Sequence, residues 1–95
     1  MKIYISGKIT GLPEADAKYY FHSAHAELKT QGHEPVNPMF LPHNHGKTWA
    51  EFMREDLQAL LTCEAIYMLE NWQESKGARI EFGLAVELGM KIIFQ

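Results

Sequence analysis

Two rhythms of apolar positions alternate along this chain. Lys2–Ser6 is a short β-branched, apolar run that stops at Gly7, which predicts a strand. Ala17, Phe21, Ala24 and Leu28 then follow at i, i+4, i+7 and i+11, the spacing of one helical face. His22, His25 and Lys29 fall on the opposite face, which the pattern assigns to solvent. Pro13 suits the first turn of this helix, and Gly32 suits the position just past an end near Gln31. Residues 34–37 predict a brief second strand, closed by Pro38, and residues 38–47 predict a loop. Thr48 with Glu51 three residues later forms a capping-box pattern. Trp49, Phe52, Met53, Leu57, Leu60 and Leu61 mark the helix that follows. Residues 65–69 predict a third strand, 71–76 a turn, 77–88 a third helix ended by Gly89, and Lys91–Phe94 a last strand.

Strands alternating with crossover helices argue for an α/β fold of three layers, flavodoxin- or Rossmann-like, with a four-stranded parallel sheet ordered 2-1-3-4. At 95 residues, the chain fits a single domain spanning 1–95. In such sheets ligands bind outside the carboxyl ends of the strands. That rule nominates residues 6–11, the loop from Asn37, and residues 70–77.

Composition narrows the function. Nine Lys and Arg against twelve Asp and Glu, with no basic run, argue against a partner of polymeric nucleic acid. A single cysteine, Cys63, excludes an internal disulfide and a cysteine-based zinc site. No apolar stretch approaches the roughly 18 residues of a membrane span. The first residues read as a strand rather than a signal peptide, so the expected compartment is the cytoplasm.

The sharpest chemical signal is a pair of carboxylates inside apolar stripes. Asp56 stands three residues after Met53 and four before Leu60. Glu81 stands four after Gly77, three before Leu84 and seven before Leu88. A buried carboxylate without partners is costly, so each must be bonded to backbone N–H groups, paired with an arginine such as Arg54 or Arg79, or used in chemistry. Two of them, in helices that open at the same edge, favour chemistry. Ser75-Lys76-Gly77 leads directly into the second of these helices, a setting suited to an anion, although a plain N-cap would look the same. Glu81 lies about four residues further in, or ~6 Å along the helix axis. That is roughly the span from the 5′-phosphate of a nucleotide to its anomeric carbon.

Tyr4-Ile5-Ser6-Gly7, Asp56-Leu57, the strand from Ala65, and Ser75-x-Gly77-x-x-x-Glu81-x-Gly83-x-Ala85 resemble the nucleoside 2-deoxyribosyltransferase superfamily, which includes deoxynucleoside 5′-monophosphate N-glycosidases. The fuller run of Ser6-Gly7-x-Ile9-Thr10-Gly11, Asn37-Pro38, Trp49 and Asn71-Trp72-Gln73-x-Ser75-x-Gly77-Ala78 resembles a subgroup of small bacterial and phage proteins, the DUF4406 family. The resemblance covers nearly the whole chain. It implies that Glu81 is the nucleophile at the anomeric carbon, that Asp56 contacts or protonates the leaving base, and that Tyr4 orients Glu81. It implies that Ser75 and Gly77 bind the 5′ end of the substrate. Ser6, Gly7, Lys8, Gly11, Asn37 and Trp72 complete the expected substrate-binding set. Lys8 replaces the Pro usual in the subgroup, and either binds phosphate or is solvated. Glu64 stands where Asp is common, and the chain is shorter than the transferases. In the superfamily a neighbouring subunit can complete the pocket, which implies a homodimer or higher homo-oligomer.

The remaining residues have ordinary readings beside functional ones. His43-Asn44-His45 lacks the spacing of a helical zinc site, so no metal is expected, and no organic cofactor. Trp72 either stacks on a base or caps the sheet edge. Trp49 reads as packing. Residues 39–41 fit a lid, a dimer contact or local packing equally. Cys63 reads as a small buried hydrophobe. The expected function is cleavage or transfer at the N-glycosidic bond of a (deoxy)nucleoside or its 5′-monophosphate through a glycosyl-Glu81 intermediate. The alternative is a nucleotide-binding module without turnover. A third reading makes the two carboxylates pins of an assembly interface.

Overall fold

A computed structural model describes residues 1–42 and 46–95. The elements follow as β1 (Lys2–Ser6), α1 (Glu14–Thr30), β2 (Glu34–Val36), α2 (Trp49–Leu61), β3 (Ala65–Met68), α3 (Lys76–Glu87) and β4 (Lys91–Phe94). Single 3-10 turns over Pro38–Phe40 and Trp72–Glu74 replace parts of the predicted loops. The sheet is parallel throughout, in the order β2-β1-β3-β4. The predicted fold class is therefore the observed one. None of the described helices is long and apolar enough to cross a membrane.

The order follows from which strands need cover on both faces. β3 is buried along its whole length and β1 from its second residue on, as a central parallel strand must be. β2 and β4 are partly exposed and form the edges. Alternation along β1 divides the core in two. Ile3 and Ile5 face α1, where Phe21, Ala24 and Leu28 meet Ala65, Tyr67 and Leu69. Tyr4 points the other way, into Ile66, Met68, Leu60, Ala78 and Ala85 under α2 and α3.

Helix ends obey local rules. Thr48 and Glu51 form the capping box in both directions. Pro13 sits one residue before α1 rather than in its first turn. Gly32 and Gly89 take φ of +87° and +69°, and each closes its helix with the paired backbone bonds of a Schellman end.

Two expectations about surface positions change. His22 and His25 are half-buried, because the Phe40 ring packs on them at centroid distances of 4.6 and 5.1 Å. Burial pulls the His25 pKa below its usual value, with Lys29 and His22 adding to the effect. Within residues 39–41, Met39 packs on the α1 side of the core, whereas Phe40, although its ring lies against the two histidines, is mostly exposed. Cys63 is half-buried against the other core. Its Sγ lies 3.4 Å from the Ala59 carbonyl, and burial raises the thiol pKa. His43-Asn44-His45 lies outside the described residues.

Candidate active site

A cavity of about 400 Å³ opens at the carboxyl edge of the sheet, between the loop after β1 and the N-terminal turns of α2 and α3. Gly7, Ile9 and Thr10 form one wall, Trp49 and Met53 another, and residues 74–78 with Glu81 the third. Two of the three segments nominated by the sheet rule border it. None of the described residues of the third, the loop from Asn37, borders it, and the start of α2 does.

Glu81 is held from β1. The Tyr4 hydroxyl donates to Oε2 at 2.6 Å, and the Ser6 hydroxyl donates to Oε1 at 2.7 Å. The two-residue period of a strand puts both hydroxyls on one face, and α3 lays Glu81 across them. Neither arginine named as a partner is involved in this contact: Arg79 donates to the Gln73 carbonyl. Glu81 as a residue is only 4% exposed. Burial pushes its pKa up to about 7, against the lowering effect of both hydroxyls, and the Asp56 charge adds to the rise. The Tyr4 hydroxyl is pushed well above its usual value, chiefly by burial and then by the Glu81 and Asp56 charges, so it remains a proton donor. Asp56 is half-buried and close enough for its charge to act on both groups.

The helix N-terminus is built as the spacing suggests. The Ser75 side chain accepts from the Ala78 N–H, so Ser75 is the N-cap of α3. Gly77 lets α3 approach α2: a Cβ there would stand 2.9 Å from the Met53 sulfur. Gly7 is tighter still, since a Cβ would meet three Leu69 side-chain atoms at 2.6 to 2.9 Å.

Other expected substrate residues lie elsewhere. Lys8 turns to a second cavity of about 250 Å³, lined also by Leu12, Tyr20 and Gln95, with its Nζ 3.8 Å from Glu74. Its backbone N–H donates to Asn71. Gly11 is exposed, with φ +91°. Asn37 is buried at the end of β2, where its side chain accepts from Met39 N–H and caps the 3-10 turn. Trp72 packs on Phe82 and Phe94 at 4.6 and 6.2 Å between centroids, so it caps the sheet on the β4 side and does not border the main cavity.

Trp49 shows the reverse. Read as packing, it is 41% exposed and forms part of the cavity wall, with the Lys76 ammonium 4.8 Å from its ring centroid. Its placement just after a capping box, at the ligand edge of the sheet, was the available signal. Among the described residues, no group of three or more His, Cys, Asp or Glu is placed to hold a metal ion.

Comparison with known proteins places this geometry in a context. The structure is similar to that of a 2-deoxyribosyltransferase from the psychrotolerant bacterium Bacillus psychrosaccharolyticus. The TM-score is 0.76 at 20% sequence identity, over 99% of this chain and 71% of that one. It is similar also to a 2-deoxyribosyltransferase from Leishmania mexicana, with a TM-score of 0.70 at 21% identity, over 98% of this chain and 62% of that one. At such identities the likeness is one of fold. No curated protein matches the chain. The model of the family described as a domain of unknown function, DUF4406, matches residues 1–94, and the chain belongs to that family.

Proposed function

We propose that the protein cleaves or transfers the N-glycosidic bond of a (deoxy)nucleoside or nucleoside 5′-monophosphate, with Glu81 as nucleophile. The observation that carries this reading is the Glu81 carboxyl itself: buried, gripped on both oxygens by hydroxyls, and forming part of a cavity wall. A carboxylate there suits an oxocarbenium-like transition state, which it stabilises by charge and then captures. A Glu81 oxygen bonds to the anomeric carbon, and the carbon–nitrogen bond breaks with its electron pair leaving on the base. Asp56 is not among the residues lining the cavity, but its charge reaches Glu81 from behind the wall. It is the group we assign to contact the base or, in its protonated form, pass it a proton. Water then attacks the anomeric carbon and releases Glu81 as carboxylate, which makes a hydrolase; a second base in place of water makes a transferase. Tyr4 orients the nucleophile. Ser75 and Gly77, at the start of α3, receive the 5′ end of the substrate, and Gly7 shapes the opposite wall. The fold shared with 2-deoxyribosyltransferases agrees with this chemistry.

A second reading has its own observation. With a pKa of about 7, Glu81 is protonated in much of the population at neutral pH, as a nucleotide-binding module without turnover would tolerate. The deciding experiment incubates high concentrations of the protein with ribo- and deoxynucleosides and their 5′-monophosphates, with and without a second base, and measures free-base release. Release that disappears in Glu81→Ala supports glycosidic chemistry. Tight binding of a substrate with no release assigns the module.

A further inference from the structure

We infer that Ser6 is a positioning residue, whose hydroxyl holds Oε1 of Glu81 while Tyr4 holds Oε2, so that β1 clamps the carboxyl between two donors instead of offering Ser6 to the substrate. The inference rests on Glu81 being the reacting group of the proposed function. Ser6 is 1% exposed, at the end of a strand buried on both sides. It is absent from the cavity wall, which is formed by its neighbour Gly7. Its one proton is committed at 2.7 Å to Glu81, so it has no donor left for a ligand.

The clamp has a physical purpose. A carboxyl this buried favours its neutral form, and a neutral carboxyl is a poor nucleophile. Hydroxyls that donate to the ionised form oppose that tendency, one on each oxygen. They also fix the plane of the group, which matters because attack requires a narrow approach to carbon. No other polar group from the sheet can replace Ser6. β3 presents Ile66 and Met68 on this side, α2 presents Asp56, whose charge works in the opposite sense, and Lys76 and Arg79 of α3 are exposed.

The test reads Glu81 directly. Side-chain carboxyl carbons are labelled and titrated by NMR in the wild type, Ser6→Ala and Ser6→Cys, and the Glu81 signal is identified by its loss in Glu81→Gln. The titration midpoint is expected to rise by roughly one pH unit in Ser6→Ala, and by less in Ser6→Cys, whose thiol is a weaker donor. The pH profile of base release moves the same way, with KM unchanged. An unmoved midpoint overturns the inference, as does a raised KM with an unmoved profile. Should Ser6→Ala fail to fold, the Cys variant decides by the same criterion. If the wild type releases no base, the proposed function fails while the carboxyl titration still reports whether Ser6 holds Glu81.

Discussion

Glu81 concentrates the energetics of the site in one side chain. Its pKa of about 7 exceeds the ordinary value of 4.5, so the folded chain holds this proton more tightly than the unfolded chain. The associated stability is complete below about pH 4.5 and is lost as pH rises through about 7, for a total of about 3 kcal/mol. Glu81→Gln removes the charge while its amide can still bond to Tyr4 and Ser6. The variant should therefore lose the wild type's fall in urea midpoint between pH 5 and 8, keeping only the rise that His25, with its lowered pKa, contributes as pH passes about 6.5, and should stand above the wild type at pH 8. Base release should fall on the order of a thousandfold or more. In the wild type, kcat/KM should rise with pH through about 7 as the free carboxyl ionises. A flat rate profile, or a Gln variant less stable than the wild type at pH 8, would contradict this account.

Elements matter here because the starts of α2 and α3, with the loop after β1, build most of the cavity wall around Glu81. α2 brings Trp49 and Met53 to it within its first two turns, and the capping box at Thr48 and Glu51 secures those turns. Thr48→Ala should cost about 1 kcal/mol of stability. It should also weaken substrate affinity, because Trp49 immediately follows the cap. Calorimetric binding of a nucleotide that the wild type accepts, measured beside thermal melting, separates the two effects. Loss of stability with affinity intact would mean that Trp49 contributes nothing to binding. The capping box was legible in the sequence because it is a local pattern of side chain and backbone. The direction of the Trp49 ring was not, because it depends on where α3 places Lys76 and Gly77, across more than twenty residues of chain.

At the scale of the whole molecule, the two halves of the core serve different ends. The α1 side is apolar packing, whereas the α2–α3 side continues from Tyr4, Ile66 and Met68 into the buried Glu81 contact. Trp72, Phe82 and Phe94 join the start of α3 to the edge strand β4. Trp72→Ala should lower stability by roughly 2 kcal/mol, less than a fully buried aromatic would cost, and leave KM for base release unchanged. A raised KM with unchanged melting would instead return Trp72 to the substrate.

Much of this protein could be read from its sequence alone. Periodicity is set by local geometry, so the seven strands and helices were visible with their order, and parallel pairing follows from the crossovers. The two carboxylates stood out because each interrupts an apolar stripe, which only pairing or chemistry makes affordable. Tertiary structure decided what those carboxylates touch. Ser6 and Glu81 lie 75 residues apart, and no local pattern says that a strand hydroxyl will meet a helix carboxyl instead of a ligand. Lys8 and Trp72 sit in the expected loops, yet their side chains turn to the second cavity and to the aromatic cluster, because the strand beside each loop sets its direction. Sequence spacing determines which edge of the sheet a residue reaches. Only packing of the three layers determines which side of that edge it faces.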